Sequence, residues 1–314
     1  MPALDVCVVG EINCDLILYG LPKALEPERE TIAEGFRLTL GSSSAIFAHN
    51  LCALGTRTGM ISKIGNDPLG QVAVTRLREG GVDVSAVRKS AKDTSTGVTI
   101  ILAQTAQRYI LTYPGTMAEF RYEDIDREYA FSARHLHLCS FYLQPALRPQ
   151  VGRLFREAKE SGLTTSLDTN DDPEGRWAND LLEVLPLVDI FLPNEREALA
   201  IAQCSELADA VQRLAGLSSI VAVKLGARGA IAREGENKWH CPGIDVGVVD
   251  PVGAGDSFDA GFIHKFLAGA GAEECLRFAN VAGAFSTTRH GGTEAFRDPV
   301  AMKEFFHGQL DADR

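Results

Sequence analysis

The chain has 314 residues, 45% hydrophobic and 23% charged, which is enough apolar material for one large or two medium cores and rules against global disorder. A formal net charge of −11 argues against nucleic acid or an anionic membrane as the main partner, yet leaves room for a phosphate bound locally by backbone N–H groups. Seven scattered cysteines without a CxxC pair read as reduced thiols of a cytoplasmic protein, the apolar run at 6–9 is too short for a signal peptide, and no stretch approaches the ~20 apolar residues that span a membrane.

Along the chain, short apolar runs alternate with amphipathic segments, the pattern of an α/β protein with a mainly parallel sheet. Val6-Cys7-Val8-Val9 reads as a strand covered on both faces and ended by Gly10. Further strands are expected at 58–62, 135–139, 164–167, 189–191 and 220–223. Helices are expected at 43–54, 68–79, 145–160, 195–201 and 207–214, with Asp67-Pro68 as cap and first helical residue of the second. Residues 14–40 and 94–113 break this rhythm with strand-like alternation. The runs 96–102 and 108–113 read as a hairpin around residues 103–107, and a small accessory sheet inserted in the α/β body accounts for both stretches. Edge strands of the main sheet are the alternative.

Gly253-Ala254-Gly255-Asp256 is followed by Phe258, Phe262 and Phe266 at the spacing of one helix face, so a Gly-rich turn opens onto a helix N-terminus. Such a turn presents unpaired N–H groups at the positive end of a helix dipole, a ready anion site that backbone can approach closely. An acid beside it makes chemical sense if Asp256 takes a proton from a hydroxyl that attacks phosphorus. Three blander readings remain: Asp256 only caps the helix, the glycines only shape a turn, or the loop is a nicotinamide-cofactor fingerprint. Phe258 stands where that fingerprint needs its third glycine.

The stretch Asp250-Pro251-Val252-Gly253-Ala254-Gly255-Asp256-Ser257-Phe258 resembles the C-terminal signature of the ribokinase-like (PfkB) carbohydrate kinases. The resemblance runs the whole chain in order. It includes Asn13-Cys14-Asp15, Gly41 to Ala45, Ile64 to Gly70, Tyr113-Pro114-Gly115, Asp168-Thr169-Asn170, Asn194 to Glu197, Lys224 to Gly229, and Asn280. It implies a three-layer Rossmann-like body, one domain over residues 1–314 with a β lid from about 14–40 and 94–113, and transfer of the γ-phosphoryl group of ATP to a sugar hydroxyl.

The roles implied are these. Asp256 is the base, and the N–H groups of Gly253, Ala254 and Gly255 form the anion hole. Asn194 and Glu197 organise Mg²⁺ through waters; Asp250 and the loop from Arg289 to Gly292 help hold a monovalent cation such as K⁺. Asn13, Asp15 and Gly41 meet the sugar, while Lys224, Gly226, Gly229 and Asn280 stand on the nucleotide side. A homodimer in which lids meet is implied as well.

Two positions depart from the family pattern. Ser42 stands where a second glycine is common and would put a side chain at the sugar; Ile46 replaces a substrate-contacting Asn with an apolar wall. Both make a ribose-like acceptor less expected and keep a nucleoside kinase open; a sugar-binding protein without catalysis and a nicotinamide-dependent oxidoreductase are more distant alternatives. Arg108 and Tyr109 could reach substrate from the lid hairpin, an Arg there favouring an acidic or phosphorylated sugar, and a solvated lid face is the competing reading. His135 and His137 alternate on one strand without a third ligand, so no metal is expected there.

Overall fold

A computed structural model describes residues 4–22, 25–103, 108–177 and 180–311. Its strands and helices follow in chain order as β1 Val6–Val9, β2 Asn13–Tyr19, β3 Gly35–Leu40, α1 Ser43–Ala53, β4 Thr58–Ile64, α2 Pro68–Glu79, β5 Val87–Lys89, β6 Gly97–Ala103 and β7 Arg108–Tyr113. Then come α3 Arg127–Phe131, β8 His135–Leu138, α4 Val151–Glu160, β9 Thr164–Leu167, α5 Asp180–Val184, β10 Ile190–Phe191, α6 Glu195–Ala202 and α7 Leu207–Ala215. The chain closes with β11 Ile220–Lys224, β12 Ala230–Glu234, β13 Asn237–Cys241, α8 Ala254–Leu267, α9 Ala272–Ser286 and α10 Pro299–Asp311.

Nine strands form the main sheet in the order β13-β12-β11-β10-β9-β8-β1-β4-β5, parallel except where β12 joins β11 and β13. The all-buried β1 shows why the layers form. Its Cys7 and Val9 point into one apolar cluster with α4, α6 and α7, and Val6 and Val8 into another with α1, α2, α8 and α9. In α4, Val151, Leu154, Phe155 and Ala158 recur at helical spacing and cover the first face. The expected start of that helix at Pro145 is corrected: residues 148–150 form a 3₁₀ turn and the α-helix begins at Val151, because Pro149 lacks an N–H and restricts the residue before it.

The two rhythm-breaking stretches build a separate four-stranded sheet, β3-β2-β6-β7, in which β2 and β6 run parallel and the outer pairs antiparallel. They are not edge strands of the main sheet. The register places Asp15 opposite Thr39 and Thr99, and Thr99 opposite Thr112, so these share one face with Asn13. The opposite face leaves Phe36, Tyr109, Leu111 and Tyr113 exposed. The expected hairpin turn at 104–107, and positions 23 and 24 of the first stretch, lie outside the described residues.

Candidate active site

Polar residues gather where the parallel strands end: Asp168, Asn194 and Lys224, singled out from sequence, are joined there by Glu11 and Ser140, which were not. Glu11 follows β1, Ser140 follows β8, Asp168 follows β9, Asn194 follows β10, and Lys224 closes β11. In open α/β sheets ligands bind outside the carboxyl ends of the strands, and α8 aims its N-terminus at the same place.

That N-terminus has the geometry of an anion site. Gly253 caps α8 with φ 76°, a left-handed conformation, and a Cβ there would lie 2.5 Å from the Cα of Gly292. Among the described residues no acceptor meets the N–H groups of Gly253, Gly255 or Asp256. Ala254 differs from the expectation: its N–H turns back to the carbonyl of Pro251 at 3.3 Å. The open donors are therefore those of Gly253, Gly255 and Asp256.

Asp256 sits in the first turn of α8. Burial first, then the negative charge of Asp168, pushes its pKa up to about 7, against the pull of Lys224. Lys224 is engaged otherwise than expected. Its ammonium bonds the buried Asp168 at 3.1 Å and both oxygens of the buried Asp259, at 3.1 and 2.9 Å. Burial works against its charge, but the two aspartates outweigh this and hold it protonated. It neutralises carboxylates rather than standing free for a nucleotide.

The acceptor side lies on β2. Asn13 donates through Nδ2 to Thr99 at 2.9 Å, and its buried Oδ1 has no hydrogen-bond partner among the described residues. Asp15 is buried, and burial with the charges of Asp256 and Asp250 pushes its pKa up to about 8. A Cβ on Gly41 would fall 2.1 Å from the Asp15 Oδ1 and 2.5 Å from the Asn13 Oδ1, so Gly41 leaves the space these two atoms need. An orphaned acceptor beside a carboxyl, with a glycine held clear of both, suits a pair of hydroxyls.

Ser42 and Ile46 are placed otherwise than the sequence suggests. Ser42 has φ 67° and ψ 134°, a region glycine tolerates best, which is why a glycine fits that position. Its side chain turns away from the pocket: Oγ donates to the Glu11 carbonyl at 2.6 Å and accepts from Ala45 N at 3.1 Å, capping α1. Ile46 is buried against Gly292, where a Cβ would meet its Cδ1 at 2.6 Å, so it backs the anion loop instead of lining an open ring pocket. Asn50 was not singled out as a site residue, yet it braces the same loop. Its Nδ2 donates to the Gly292 carbonyl and to Ser257 Oγ, both at 2.9 Å, and Ser257 donates to the Gly253 carbonyl at 2.7 Å. A helical Asn gives no sequence signal of a partner 242 residues away.

Asn194 and Glu197 form a capping box on α6: Asn194 Oδ1 accepts from Glu197 N at 3.0 Å, and Glu197 accepts from Asn194 N at 2.9 Å and from its Nδ2. Burial and Asp168 raise the Glu197 pKa. Among the described residues no group of three His, Cys, Asp or Glu forms a metal cage, and Asp250 does not join Asn194 and Glu197. Its carboxylate accepts from Val252 N and Gly291 N, both at 3.0 Å, and lies 3.5 Å from the Tyr19 hydroxyl, so it closes the 250–253 turn against residue 291. On the far side, Gly226 and Gly229 take positive φ, and Asn280 donates to the carbonyls of Cys241 and Pro242 at 3.1 and 3.2 Å, holding the loop after β13 near Gly229. His135 and His137 are buried and bonded to Thr164, Ser166 and Cys139, and burial lowers both pKa values so that they stay neutral.

Residues 3–299 match the family model described as pfkB family carbohydrate kinase. The chain is 31% identical over 294 residues to an ATP-dependent ribose-1-phosphate kinase from Halopiger xanaduensis, covering 92% of this chain and 94% of that one. A ribokinase from Arabidopsis thaliana, solved with ribose and ATP, superposes with a TM-score of 0.83 at 26% identity, over 97% of this chain and 99% of its own. An E. coli protein provisionally described as ribokinase II, solved with ATP and Mg²⁺, superposes with a TM-score of 0.85 at 24% identity, over 97% and 99%.

Proposed function

The chain belongs to the pfkB family of carbohydrate kinases, ATP-dependent phosphotransferases with an alcohol acceptor, and on that premise we propose that Asp256 is the base that activates a sugar hydroxyl held by Asn13 and Asp15. One observation carries this: Asp256 stands half-buried in the first turn of α8, beside open N–H donors, and near enough to Asp15 for its charge to help raise the Asp15 carboxyl.

In this reading the acceptor places hydroxyls against Asn13 Oδ1 and Asp15. The Asp256 carboxylate takes the proton of the attacking hydroxyl as its oxygen bonds to the γ-phosphorus, and ADP departs. A value of about 7 leaves Asp256 substantially ionised at neutral pH while making it a stronger base than an exposed aspartate. The N–H groups of Gly253, Gly255 and Asp256 face the charge on the transferring phosphoryl. Gly226, Gly229 and Asn280 shape the nucleotide side, and Lys224 keeps Asp168 and Asp259 from repelling the phosphates.

When bound, Mg²⁺ neutralises phosphate charge. The residues fit it through waters: the oxygens of Asn194 and Glu197 are occupied in the capping box, while Asp168, Glu197, Asp256 and Asp259 outnumber the single Lys224 and leave the site electronegative. A monovalent cation such as K⁺ near Asp250 would take backbone carbonyls of the 289–292 turn, since Asp250 is occupied by N–H donors. The same reading makes the chain one domain with the small sheet as a lid over the acceptor, placed in the cytoplasm, and a homodimer through the exposed apolar face of Phe36, Tyr109, Leu111 and Tyr113.

The test is ADP release with Mg·ATP against sugars, sugar acids, sugar phosphates and nucleosides, with Asp256→Asn alongside. Turnover of a sugar or sugar derivative is expected, and loss of the base should slow it by about 10²–10⁴-fold. If Asp256→Asn matches the wild type, the base is another group.

A further inference from the structure

Two glycine turns meet at the anion site, backbone against backbone. A Cβ on Gly253 would lie 2.5 Å from the Cα of Gly292, and one on Gly292 would lie 3.2 Å from the Cα of Gly253. Two side chains span both turns. Asp250 does so as an acceptor, from the N–H groups of Val252 and Gly291. Asn50 does so as a donor: its amide bonds the Gly292 carbonyl and Ser257 Oγ, both at 2.9 Å, and Ser257 passes the bond on to the Gly253 carbonyl at 2.7 Å. Behind Asn50 stands His49, its Nδ1 2.9 Å from Asn50 Oδ1. His49, Asn50 and Ser257 are all buried.

Two backbone carbonyls fix every proton in this chain. A carbonyl only accepts. The Gly292 carbonyl therefore faces the nitrogen of the Asn50 amide, and the Gly253 carbonyl takes the one hydroxyl proton of Ser257. That leaves Ser257 Oγ to accept the second amide N–H. Both amide protons are then spent, and Asn50 presents only its oxygen to His49. The ring must carry a proton on Nδ1, whether it is neutral or charged. Burial lowers its pKa and keeps it neutral, so Nε2 is bare. The Gly253 carbonyl also accepts the Ser257 N–H at 2.9 Å, which makes it a rung of α8 as well as the end of this chain.

We propose that Asn50 is a positioning residue for the anion hole and that His49 orients it: the imidazole holds the amide, and the amide clamps the turns at 253 and 292 so that the N–H groups of Gly253, Gly255 and Asp256 stay aimed at the transferring phosphoryl. The inference rests on those N–H groups being the anion hole. A clamp is needed because Gly253 holds its φ of 76° without a side chain to confine it. Donors aimed at developing charge act through placement, and a displacement of about 1 Å can cost about 10²-fold in rate.

The experiment joins imidazole NMR to analogue binding and kinetics. In protein carrying ¹⁵N-labelled histidine, with His49→Leu assigning the signal, His49 should show the Nδ1–H tautomer at neutral pH. Asn50→Leu should bind Mg·ADP as the wild type does, read by thermal shift. Its gain in affinity on adding aluminium fluoride, which stands in for the transferring phosphoryl, should be about 10–10²-fold smaller, and kcat should fall by a like factor with KM for the acceptor unchanged. His49→Leu should show a smaller loss of the same kind. His49→Asn, whose amide N–H can take the place of Nδ1–H, should restore the gain, and His49→Leu should add nothing on top of Asn50→Leu. An Nε2–H tautomer, a His49→Asn protein as impaired as His49→Leu, or additive losses in the double variant would overturn the proposal. These readouts decide it even where Asn50→Leu fails to fold. A wild type that gains nothing from aluminium fluoride would overturn the anion hole on which the clamp rests; a wild-type gain that survives intact in Asn50→Leu would overturn the clamp alone.

Discussion

Gly41→Ala probes the acceptor pocket without removing any polar group. The added Cβ would sit 2.1 Å from Asp15 Oδ1 and 2.5 Å from Asn13 Oδ1, far inside contact distance. Strand β2 cannot retreat, because it is laddered to β3 on one side and β6 on the other. The side chains of Asn13 and Asp15 must therefore rotate off the pocket. A sugar would lose one neutral hydrogen bond, worth about 1 kcal/mol, and one to a charged or strongly polar carboxyl, worth about 1.5–3 kcal/mol. Together these predict a fall in kcat/KM for the acceptor of roughly 10²–10³-fold. The nucleotide side is untouched, so the rise in melting temperature on adding Mg·ATP should match the wild type. A Gly41→Ala enzyme within about threefold of wild-type kcat/KM, with ATP binding intact, would refute the placement of the acceptor between Asn13 and Asp15.

The raised carboxyls predict a pH effect on stability. Asp15 and Asp256 have folded pKa values raised to about 8 and about 7, so the folded state binds their protons more tightly than the unfolded one. Their contribution is complete below the ordinary aspartate range and is lost as pH rises through 7 to 8. The melting temperature of the ligand-free protein should fall from pH 5 to pH 8.5, and Asp15→Asn should flatten that fall; a melting temperature that climbs over this range would contradict the protonated form. Lys224→Met leaves Asp168 and Asp259 buried without their counter-charge and should cost about 3–5 kcal/mol in urea unfolding; a loss under about 1 kcal/mol would mean the triad is not built as described. Phe36→Glu with Leu111→Glu should halve the mass seen by light scattering while the monomer stays folded, and a monomeric wild type would end the lid-to-lid dimer reading.

Local chemistry made much of the protein legible from its residues. Apolar runs of strand length, the Asp67-Pro68 helix start, and the glycine turn feeding a helix with Phe258 and Phe262 on one face are short-range patterns, and each appears where it was expected. The ordered motifs carried the fold, because each motif sits at a strand end or helix start whose conformation its own residues dictate. What sequence left open is settled by contacts between distant segments. Lys224 could equally have met a phosphate until β9 and α8 brought Asp168 and Asp259 to it. Ser42 looked like an intrusion on the sugar, but its hydroxyl is drawn to the Glu11 carbonyl and the start of α1. His49 and Asn50 carried no role in the sequence, since a hydrogen bond has partners only once the strands are ordered. Sequence alone thus singled out Asp256 and the glycine turn before it as the candidate site; packing decided which neighbours tune that acid, because burial and charge act through space and not along the chain.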